Sequence, residues 1–469
     1  MTEPQLNLIP HDLRADEFRT SMRGDATACW LPGHAMRVDS MHEHPHANGG
    51  SEATVLGSAD GAWSVRIALP ETISDVELLP PGRGSVHYAD NEVIVSAEQA
   101  GYLVLNCNHA DPERPHRTAY ILIDQTDPAA PRVDDPAVKS LSPGTHQASE
   151  LLPDQRRTVV LLPGVHDIEG QMVNLCGDMR LHLCPGAHLR SYVCADSVHG
   201  LAITGTGVID GTGVTCRGRE WRDDGWDGFV LFRRCIDCRF DGPVILNSPF
   251  WNLVTFATRG MRISRYKALT WLVNNDGVQP RSCQDLIVED SFLKCADDCI
   301  AVKTRRDAGM HSHDLLFRRL TCWNDRPGNP LEIGHTSQAD VLERVRFEDI
   351  DIVHAHTGNC LSIALIDGSE VREVNYHNIR QSGFCTAGAV GFRIETSRYT
   401  TDAHRGKLHD ISIDGFHLKG DKPGGRIIGY DADAHRIHAI RCNNLTLNEQ
   451  ATSLDQLGVE QVNCDDVVG

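Results

Sequence analysis

Three aspartates in the middle of the chain have the residue type and spacing that acid–base chemistry requires. Asp276 lies in the motif Asn275-Asp276-Gly277, and the pair Asp297 and Asp298 follows 21 and 22 residues later. Helix neighbours lie three or four residues apart, so this spacing indicates one extra lap of a coiled chain instead. Clustered carboxylates are unfavourable unless they are protonated, paired or used in catalysis. Because Asp-Gly also marks turns and acids usually face water, an ordinary surface role stays open.

The composition indicates a globular protein of two domains. The chain has 469 residues, 41% of them hydrophobic and 23% charged, which exceeds the usual size of one domain. Its 45 Lys and Arg against 64 Asp and Glu give a net charge of −19. That charge argues against nucleic acid or an anionic membrane as a partner and, less strongly, against a polyanionic substrate. A homo-oligomer is compatible with these totals.

The sequence predicts an intracellular protein without a metal. No apolar run approaches the ~20 residues that span a bilayer, and no secretory signal is visible at the N-terminus. Sixteen cysteines then predict reduced thiols in a cytoplasmic protein, or a secreted one if a signal was trimmed. Cys235 and Cys238 lack a second pair at zinc spacing, so they are expected to be small buried side chains. The run His42, His44, His46 could bind a metal from one face of a strand, but its flanking residues favour a loop instead. We predict neither metal nor cofactor.

Residues 1–138 are predicted to form a β-sandwich domain. Short apolar or alternating runs at 63–69, 93–97, 102–106 and 119–123 are separated by Gly, Pro, Asp and Asn, as is typical of antiparallel strands in a sandwich. A proline-rich segment, 127–136, is the predicted linker.

Residues 139–469 are predicted to form a parallel β-helix catalytic domain, so the fold class is all-β. Segments of five residues recur 24 to 37 residues apart, with mostly apolar first and third positions. The fifth is Gly, Asp or Asn in seven of nine, residues that tolerate the left-handed conformation of a sharp bend. Coils stacked ~4.8 Å apart would make the three aspartates neighbours. The segments are 201–205, 238–242, 262–266, 286–290, 315–319, 345–349, 374–378, 411–415 and 440–444.

Four segments around the aspartates match the motifs of a known family. They are Ile-Asp-Gly at 209–211, Asn-Ser-Pro-Phe-Trp at 247–251, Asn-Asp-Gly-Val at 275–278 with Ser-Cys at 282–283, and Asp-Asp-Cys-Ile-Ala-Val-Lys at 297–303. These segments resemble the polygalacturonase family, glycoside hydrolase family 28. The resemblance implies a right-handed β-helix that hydrolyses glycosidic bonds with inversion. It implies that Asp297 is the general acid and that Asp276 and Asp298 hold and deprotonate water.

Two departures from the family pattern concern the substrate. Where the family usually has Gly-His-Gly and Arg-Ile-Lys, this chain has Gly334-His335-Thr336 and Arg393-Ile394-Glu395. The family's Arg and Lys bind a galacturonate carboxylate, so Glu395 would repel it by ~1 kcal/mol at ~4 Å in water, and more when buried. We therefore expect an uncharged oligo- or polysaccharide.

A second group of segments points to neutral sugars as well. Cys-Trp-Asn at 322–324, Pro-Leu-Glu-Ile-Gly at 330–334 and the strand 345–354 resemble the dextranase and isopullulanase family, glycoside hydrolase family 49. That resemblance implies an N-terminal β-sandwich before the β-helix and action on neutral glucans.

Further side chains near the aspartates are candidate substrate contacts. Trp251, Trp271 and Trp323 are predicted to stack on sugar rings, although aromatics also fill cores. Lys303 is predicted to tune the charge of the acid pair, or to be a surface lysine. Glu332 alternates with apolar neighbours, so it is expected to face outward near the cleft.

The departing motifs supply the remaining candidates. His335 is predicted to steady an acid or the water, and Arg393 to contact a substrate hydroxyl or to pair with Glu395. Other functions compatible with the sequence are a pectic hydrolase of the polygalacturonase type, a β-helix polysaccharide lyase and a non-catalytic glycan-binding solenoid.

Overall fold

The computed structural model of the protein describes residues 19–23, 29–31, 51–69, 71–110, 116–215, 228–421, 423–431 and 433–468. The histidine run at 42–46 lies outside these residues. Within them the regular structure is almost entirely β, with a short α-helix, Leu454–Leu457, and 3-10 turns at Ala148–Leu151 and Arg306–Ala308. None of the helices in the described ranges has the length and apolar character needed to cross a membrane.

The N-terminal strands form a β-sandwich, as predicted. One sheet has the order β1-β4-β7-β6 and the other β2-β3-β9-β8-β5, and side chains of both, such as Val65 and Ile121, share one core. The sheets are antiparallel except for β3 and β9, which run parallel. The strands are β1 Arg19–Arg23, β2 Cys29–Leu31, β3 Ser51–Ser58, β4 Trp63–Ala68, β5 Val76–Leu79, β6 Ser85–Ala89, β7 Glu92–Ala97, β8 Gly101–Cys107 and β9 Arg117–Asp124.

From Val138 onward, the described residues form a right-handed parallel β-helix of 29 strands. Its first strand begins at Val138, beside the predicted domain boundary. The strands are β10 Val138–Leu141, β11 Gly144–His146, β12 Thr158–Leu161, β13 Gly164–Leu175, β14 Arg180–Leu183, β15 Ala187–Asp196, β16 Ala202–Gly205, β17 Val208–Asp210, β18 Val230–Arg233, β19 Arg239–Asp241, β20 Val244–Leu246, β21 Leu253–Phe256, β22 Arg262–Ser264, β23 Lys267–Leu269, β24 Val278–Arg281, β25 Gln284–Cys295, β26 Ile300–Thr304, β27 Ser312–Asn324, β28 Leu331–Ser337, β29 Val341–Ala355, β30 Asn359–Leu365, β31 Glu370–Cys385, β32 Gly388–Ile394, β33 Lys407–Leu418, β34 Gly425–Ile428, β35 Ile437–Leu447, β36 Gln450–Ala451, β37 Val459–Val462 and β38 Cys464–Val468.

Each central coil contributes a strand to three parallel ladders. The repeat ladder contains β16, β19 and β22 and continues through the first halves of β25, β27, β29 and β31. The covered ladder contains β17, β20 and β23 and continues through the second halves of β25, β27 and β29. The site ladder contains β18, β21, β24, β26, β28, β30, β32 and β34.

The repeat ladder has the inward side chains and bends that its sequence predicts. Third-position rings stack in the core, with Phe317 and Phe347 centroids 4.9 Å apart. The fifth position is left-handed even at Arg319, with φ 52°, where the guanidinium pairs with Asp290 of the preceding coil. The segment 262–266 is offset by one residue from the other segments. Its second residue, Ile263, aligns with the inward-facing third residues of the neighbouring segments.

The cysteine pair Cys235 and Cys238 lies in the β-helix core, with 1% and 2% of its surface exposed. This matches the expectation of small buried side chains. Among the described residues, the group of three side chains close enough to share a metal ion is Asp285, His313 and Asp314, two of them exposed. It lies at the bend where β25 and β27 begin and does not include the cysteines.

The sandwich packs against the covered ladder and buries its outer face. Leu122 and Tyr120 of the sandwich share an apolar cluster with Leu269, Phe292 and Val353 of the β-helix. A buried ion pair, Lys267 Nζ to Asp124 Oδ2 at 2.5 Å, crosses the same interface. The interface covers this ladder, and the three aspartates lie beside the site ladder.

Candidate active site

Adjacent coils bring the three aspartates together at the N-terminal ends of two strands of the site ladder. Asp276 lies two residues before β24, and Asp297 and Asp298 lie just before β26. The two strands pair with Val278 opposite Ile300, a 22-residue offset, and the Gly277 N–H donates to the Asp298 carbonyl at 2.8 Å. The same offset places Asp276 beside Asp298, so the lap of chain that the spacing predicted is present.

Asn275 fixes the backbone that presents Asp276. Its side-chain amide is completely buried and donates to the carbonyls of Ser248 and Phe250 at 2.9 and 2.7 Å. Its side-chain oxygen accepts from the Leu272 N–H at 2.7 Å. Hydrogen bonds from one side-chain amide therefore connect the Asn-Asp-Gly segment to the Asn-Ser-Pro-Phe-Trp segment.

The neighbouring carboxyl groups of Asp297 and Asp298 separate by turning toward different coils. Asp297 is partly exposed, and its Oδ2 accepts from the Asn274 N–H of the preceding coil at 3.1 Å. Asp298 is buried, and its Oδ1 accepts from the Asn329 N–H and Nδ2 of the following coil at 2.8 and 3.2 Å. Consecutive strand residues normally face opposite ways, and here the turn before β26 leaves both acids at the site.

Burial and the neighbouring carboxylates raise the pKa values of this acid pair. Desolvation, followed by the charges of Asp276 and Asp298, raises the pKa of Asp297 to about 9. Desolvation and the charges of Glu332 and Asp276 also raise the pKa of Asp298 well above its usual value. Asp276 has a different environment, since it pairs with Lys303 Nζ at 3.3 Å and accepts from Gln279 Nε2 at 2.5 Å. The site thus holds one cation-paired carboxylate beside an acid that retains its proton.

Gly328 packs directly against the backbone of the acid pair. Its φ is +115°, and a Cβ placed on it would lie 2.6 Å from the carbonyl carbon of Asp297 and the nitrogen of Asp298. Any residue with a side chain at position 328 would therefore displace the turn that carries both acids. The Asn324 amide also donates to the Asp297 carbonyl, at 2.7 Å, from the same coil.

Gly328→Ala is expected to lower turnover at least about tenfold, because displacing catalytic groups by about 1 Å can cost 10²-fold. The matched control is Gly309→Ala, which also has a positive φ but nothing within 4 Å of the added Cβ. Both changes strain the backbone, and only the first one moves the acids. Equal kcat losses in the two variants, measured on one glycan, would contradict this arrangement.

The remaining polar candidates lie along the site ladder. Lys303 contacts Asp276 as described, and His335 is exposed. Arg393 pairs with Glu395, Nε to Oε1 at 3.5 Å, which is one of the two roles predicted for it. The structure corrects the prediction for Glu332, whose exposed fraction is 0%. It faces away from the core, but it lies beneath the surface and cannot touch a substrate directly.

The three tryptophans have different environments. Trp251 is half-buried beside the acids, and Arg281 lies over its ring at 4.3 Å with Lys303 at 5.4 Å. The predicted sugar-stacking role is wrong for Trp271 and Trp323, which are 7% and 2% exposed in the interface with the sandwich. Both side chains would be exposed on a β-helix without the sandwich, but in this protein the sandwich covers them.

Several residues of the site were not predicted from the sequence. Gln279 and Arg281 line the site from β24, where Arg281 Nε donates to Gln279 Oε1 at 2.5 Å. The polar alternation in Val278-Gln279-Pro280-Arg281 could have indicated them. Asn329 is harder to predict from the sequence, because it becomes a neighbour of Asp298 only through the strand pairing. Ile300 pairs with Leu331 of the next coil, and the same 31-residue offset places Asn329 opposite Asp298.

The fold and the site geometry define a right-handed parallel β-helix protein with a carboxylate cluster on one ladder. Residues 166–396 match the family described as Glycosyl hydrolases family 28. A "Probable polygalacturonase" from Vitis vinifera is 29% identical over 145 residues, which cover 29% of each chain. Polygalacturonase-2 from Solanum lycopersicum is 22% identical over 192 residues, 36% of this chain and 37% of the relative. The chain therefore spans well under half of the length of these relatives.

Solved structures share the fold at lower sequence identity. Dex49A from Penicillium minioluteum has a TM-score of 0.68 at 12% identity and covers 98% of this chain and 96% of its own. An exopolygalacturonase from Thermotoga maritima has a TM-score of 0.51 at 17% identity, over 62% of this chain and 79% of its own. Residues 166–396 are thus similar to glycosyl hydrolases family 28, and the chain shares its fold with Dex49A over nearly its whole length.

Proposed function

We propose that this protein is a glycoside hydrolase that cleaves an O-glycosidic bond with inversion. The observation that supports this most directly is the division of roles among the three aspartates. Asp297 is partly exposed and retains its proton, while Asp276 is held beside Lys303. Inverting hydrolysis needs one carboxyl group as acid and another as base, with room for water between them.

In the proposed reaction Asp297 gives its proton to the glycosidic oxygen as the bond to the anomeric carbon breaks. A water molecule attacks that carbon from the opposite face and loses a proton to Asp276. Asp298, tied to Asn329 on the next coil, orients the water. Lys303 Nζ contacts Asp276 at 3.3 Å and holds its carboxyl group in place before attack. The reaction as proposed uses no cofactor.

The charges around the site favour an uncharged oligo- or polysaccharide. Lys303 and Arg393 are cations on the site ladder, and each is already paired with a carboxylate, Asp276 or Glu395. A uronate would add another negative charge to this group. The second candidate is a pectic hydrolase, which the names of the sequence relatives favour.

A glycan panel followed by NMR of the first product tests this function. The panel contains neutral glucans, neutral galactans and polygalacturonate. We expect the product released first to have the anomeric configuration opposite to that of the bond cleaved, since water attacks directly. Retention of configuration in the first product would overturn the assignment of Asp276 and Asp298 to water.

The same experiment separates the other functions. A polysaccharide lyase would give an unsaturated product with new ultraviolet absorbance and no gain of water. A glycan-binding solenoid would bind a member of the panel without releasing any product. A polygalacturonate-specific activity would favour the pectic candidate and overturn the neutral substrate class.

A further inference from the structure

Glu332 is the long side chain in a patch of small residues on the site ladder. On the strands beside it, Ala301 pairs opposite Glu332 on one side and Ser362 on the other. The next position along the ladder, beyond Ser362, is Gly391. Alternation along the strand places Gly334 on the same side as Glu332, and a Cβ there would lie 2.9 Å from Glu332 Oε1. The carboxylate therefore occupies the space that its small neighbours leave open.

This carboxylate is buried without a well-formed hydrogen bond. Its exposed fraction is 0%, and neither oxygen has a partner at normal hydrogen-bond geometry among the described residues. A buried carboxylate normally needs a hydrogen bond or a nearby cation, because burying an unpaired charge costs free energy. Desolvation raises the pKa of Glu332 to about 7, while the adjacent Ser362 hydroxyl and the charges of Arg393 and Lys303 favour its ionised form. Strand pairing places both cations on the same face of the ladder as Glu332, because Ala301, two residues before Lys303, pairs with Glu332, and Ala364, two residues after Ser362, pairs with Arg393.

The same two cations are shared among three carboxylates. Lys303 contacts Asp276 at 3.3 Å and Arg393 contacts Glu395 at 3.5 Å, and both cations lie on the face of the ladder that carries Glu332. A carboxylate on a bound sugar would become a fourth anion facing the same two cations. A hydroxyl group in that place carries no such penalty, because it can accept a hydrogen bond from either cation.

We propose that Glu332 is a specificity-determining residue that neutralises Lys303 and Arg393 from beneath, so that the cleft accepts a neutral sugar and rejects a uronate. It acts through the two cations without contacting the substrate. The inference rests on the proposed function, in that the cleft must bind a glycan. It goes beyond that function by assigning the choice of substrate class to one buried side chain.

Glu332→Gln tests the proposal, because it removes the charge and keeps the shape. The probes are oligogalacturonate and the same oligosaccharide after reduction of its carboxylates to alcohols, which differ only in charge. The measurements are the Kd of each by calorimetry and, where turnover occurs, kcat/KM. We expect the preference for the reduced over the charged oligosaccharide to fall at least about tenfold in the variant, at pH 8 where the wild-type carboxylate is ionised.

Two controls separate a specificity role from a structural one. Ala301→Gly changes the other neighbouring position on the ladder but leaves the charge, and Glu332→Asp keeps the charge in a shorter side chain. Neither is expected to change the preference more than about twofold, even if both lose stability. A preference in Glu332→Gln within twofold of wild type would overturn the proposal.

The outcome also separates this inference from the proposed function. If wild type cleaves a neutral glycan of the panel and Glu332→Gln keeps its preference, only the role of Glu332 fails. If wild type binds and cleaves no glycan, both fail. Wild-type preference for the charged oligosaccharide would overturn the inference and support the pectic candidate.

Discussion

Replacing Asp297 with asparagine is expected to abolish most turnover and at the same time to stabilise the folded protein above neutral pH. The general acid contributes about 10²–10⁴-fold to the rate, so kcat should fall by that factor on a substrate with a poor leaving group. The stability gain follows from the same feature that makes Asp297 an acid, namely the rise of its pKa to about 9 by burial and by Asp276 and Asp298.

The sign of the pH dependence follows from proton binding. In the unfolded chain an aspartate ionises above a pKa of about 4, whereas Asp297 in the folded protein holds its proton until about pH 9. Between these values the folded state binds more protons, so this group lowers the free energy of unfolding as the pH rises. Asparagine cannot ionise and removes that loss. We expect a gain of up to about 5 kcal/mol at pH 8, because each of the roughly four pH units above the unfolded pKa is worth about 1.4 kcal/mol.

Thermal unfolding at pH 5 and pH 8 measures this effect. The gain should be larger at pH 8 than at pH 5, because little of the loss has accumulated at the lower pH. Asp285→Asn is the matched control, an exposed aspartate with a positive φ that asparagine also tolerates. A stability gain that is equal at both pH values, or a loss of stability at pH 8, would show that Asp297 is not held protonated.

Lys267→Met is expected to destabilise the protein by about 3–5 kcal/mol, the usual cost of removing one partner from a buried ion pair. Lys267 and Asp124 have side chains only 1% and 3% exposed and meet at 2.5 Å between the sandwich and the β-helix. Tyr102 donates to the other oxygen of Asp124 at 2.6 Å. Without the ammonium group, the buried Asp124 side chain would lose the cation that pairs with it.

Chemical denaturation of three variants tests this prediction. The double variant Asp124→Asn with Lys267→Met should recover much of the loss, since no charge then remains buried. Arg66→Met is the control, because Arg66 and Glu92 also form a close pair, at 2.7 Å, but with side chains 48% and 47% exposed. Exposed pairs contribute about 0–1 kcal/mol. A loss below about 1 kcal/mol for Lys267→Met would mean that water reaches the pair.

The interface that contains this pair also explains the wrong prediction for two tryptophans. Trp323 lies on β27 and Trp271 lies just after β23, on coils next to the acids. On an isolated β-helix their outward positions would be exposed. The Trp271 Nε1 instead donates to Glu52 of the sandwich at 2.7 Å, a residue 219 positions away in the chain. Nothing in the local pattern of either tryptophan indicates such a partner.

The coil repeat, the bends and the proximity of the three acids follow from the sequence, because these depend on local rules. Apolar alternation sets which side chains enter the core, and left-handed conformations favour Gly, Asp and Asn at a bend. A spacing of one coil then predicts which residues become neighbours. The offset of the 262–266 segment shows the limit of this reasoning, since its one-residue shift is visible only in the strand pairing.

Only the tertiary structure decided how the acids differ from one another and which face of the β-helix is open. Asp297 and Asp298 are identical and adjacent in the sequence, and they differ because one turns to Asn274 and the other to Asn329 on different coils. Glu332 has the pattern of a surface residue and is buried. Burial and charge at these positions depend on atoms from distant parts of the chain, and the electrostatic free energy of a group depends on all of them together.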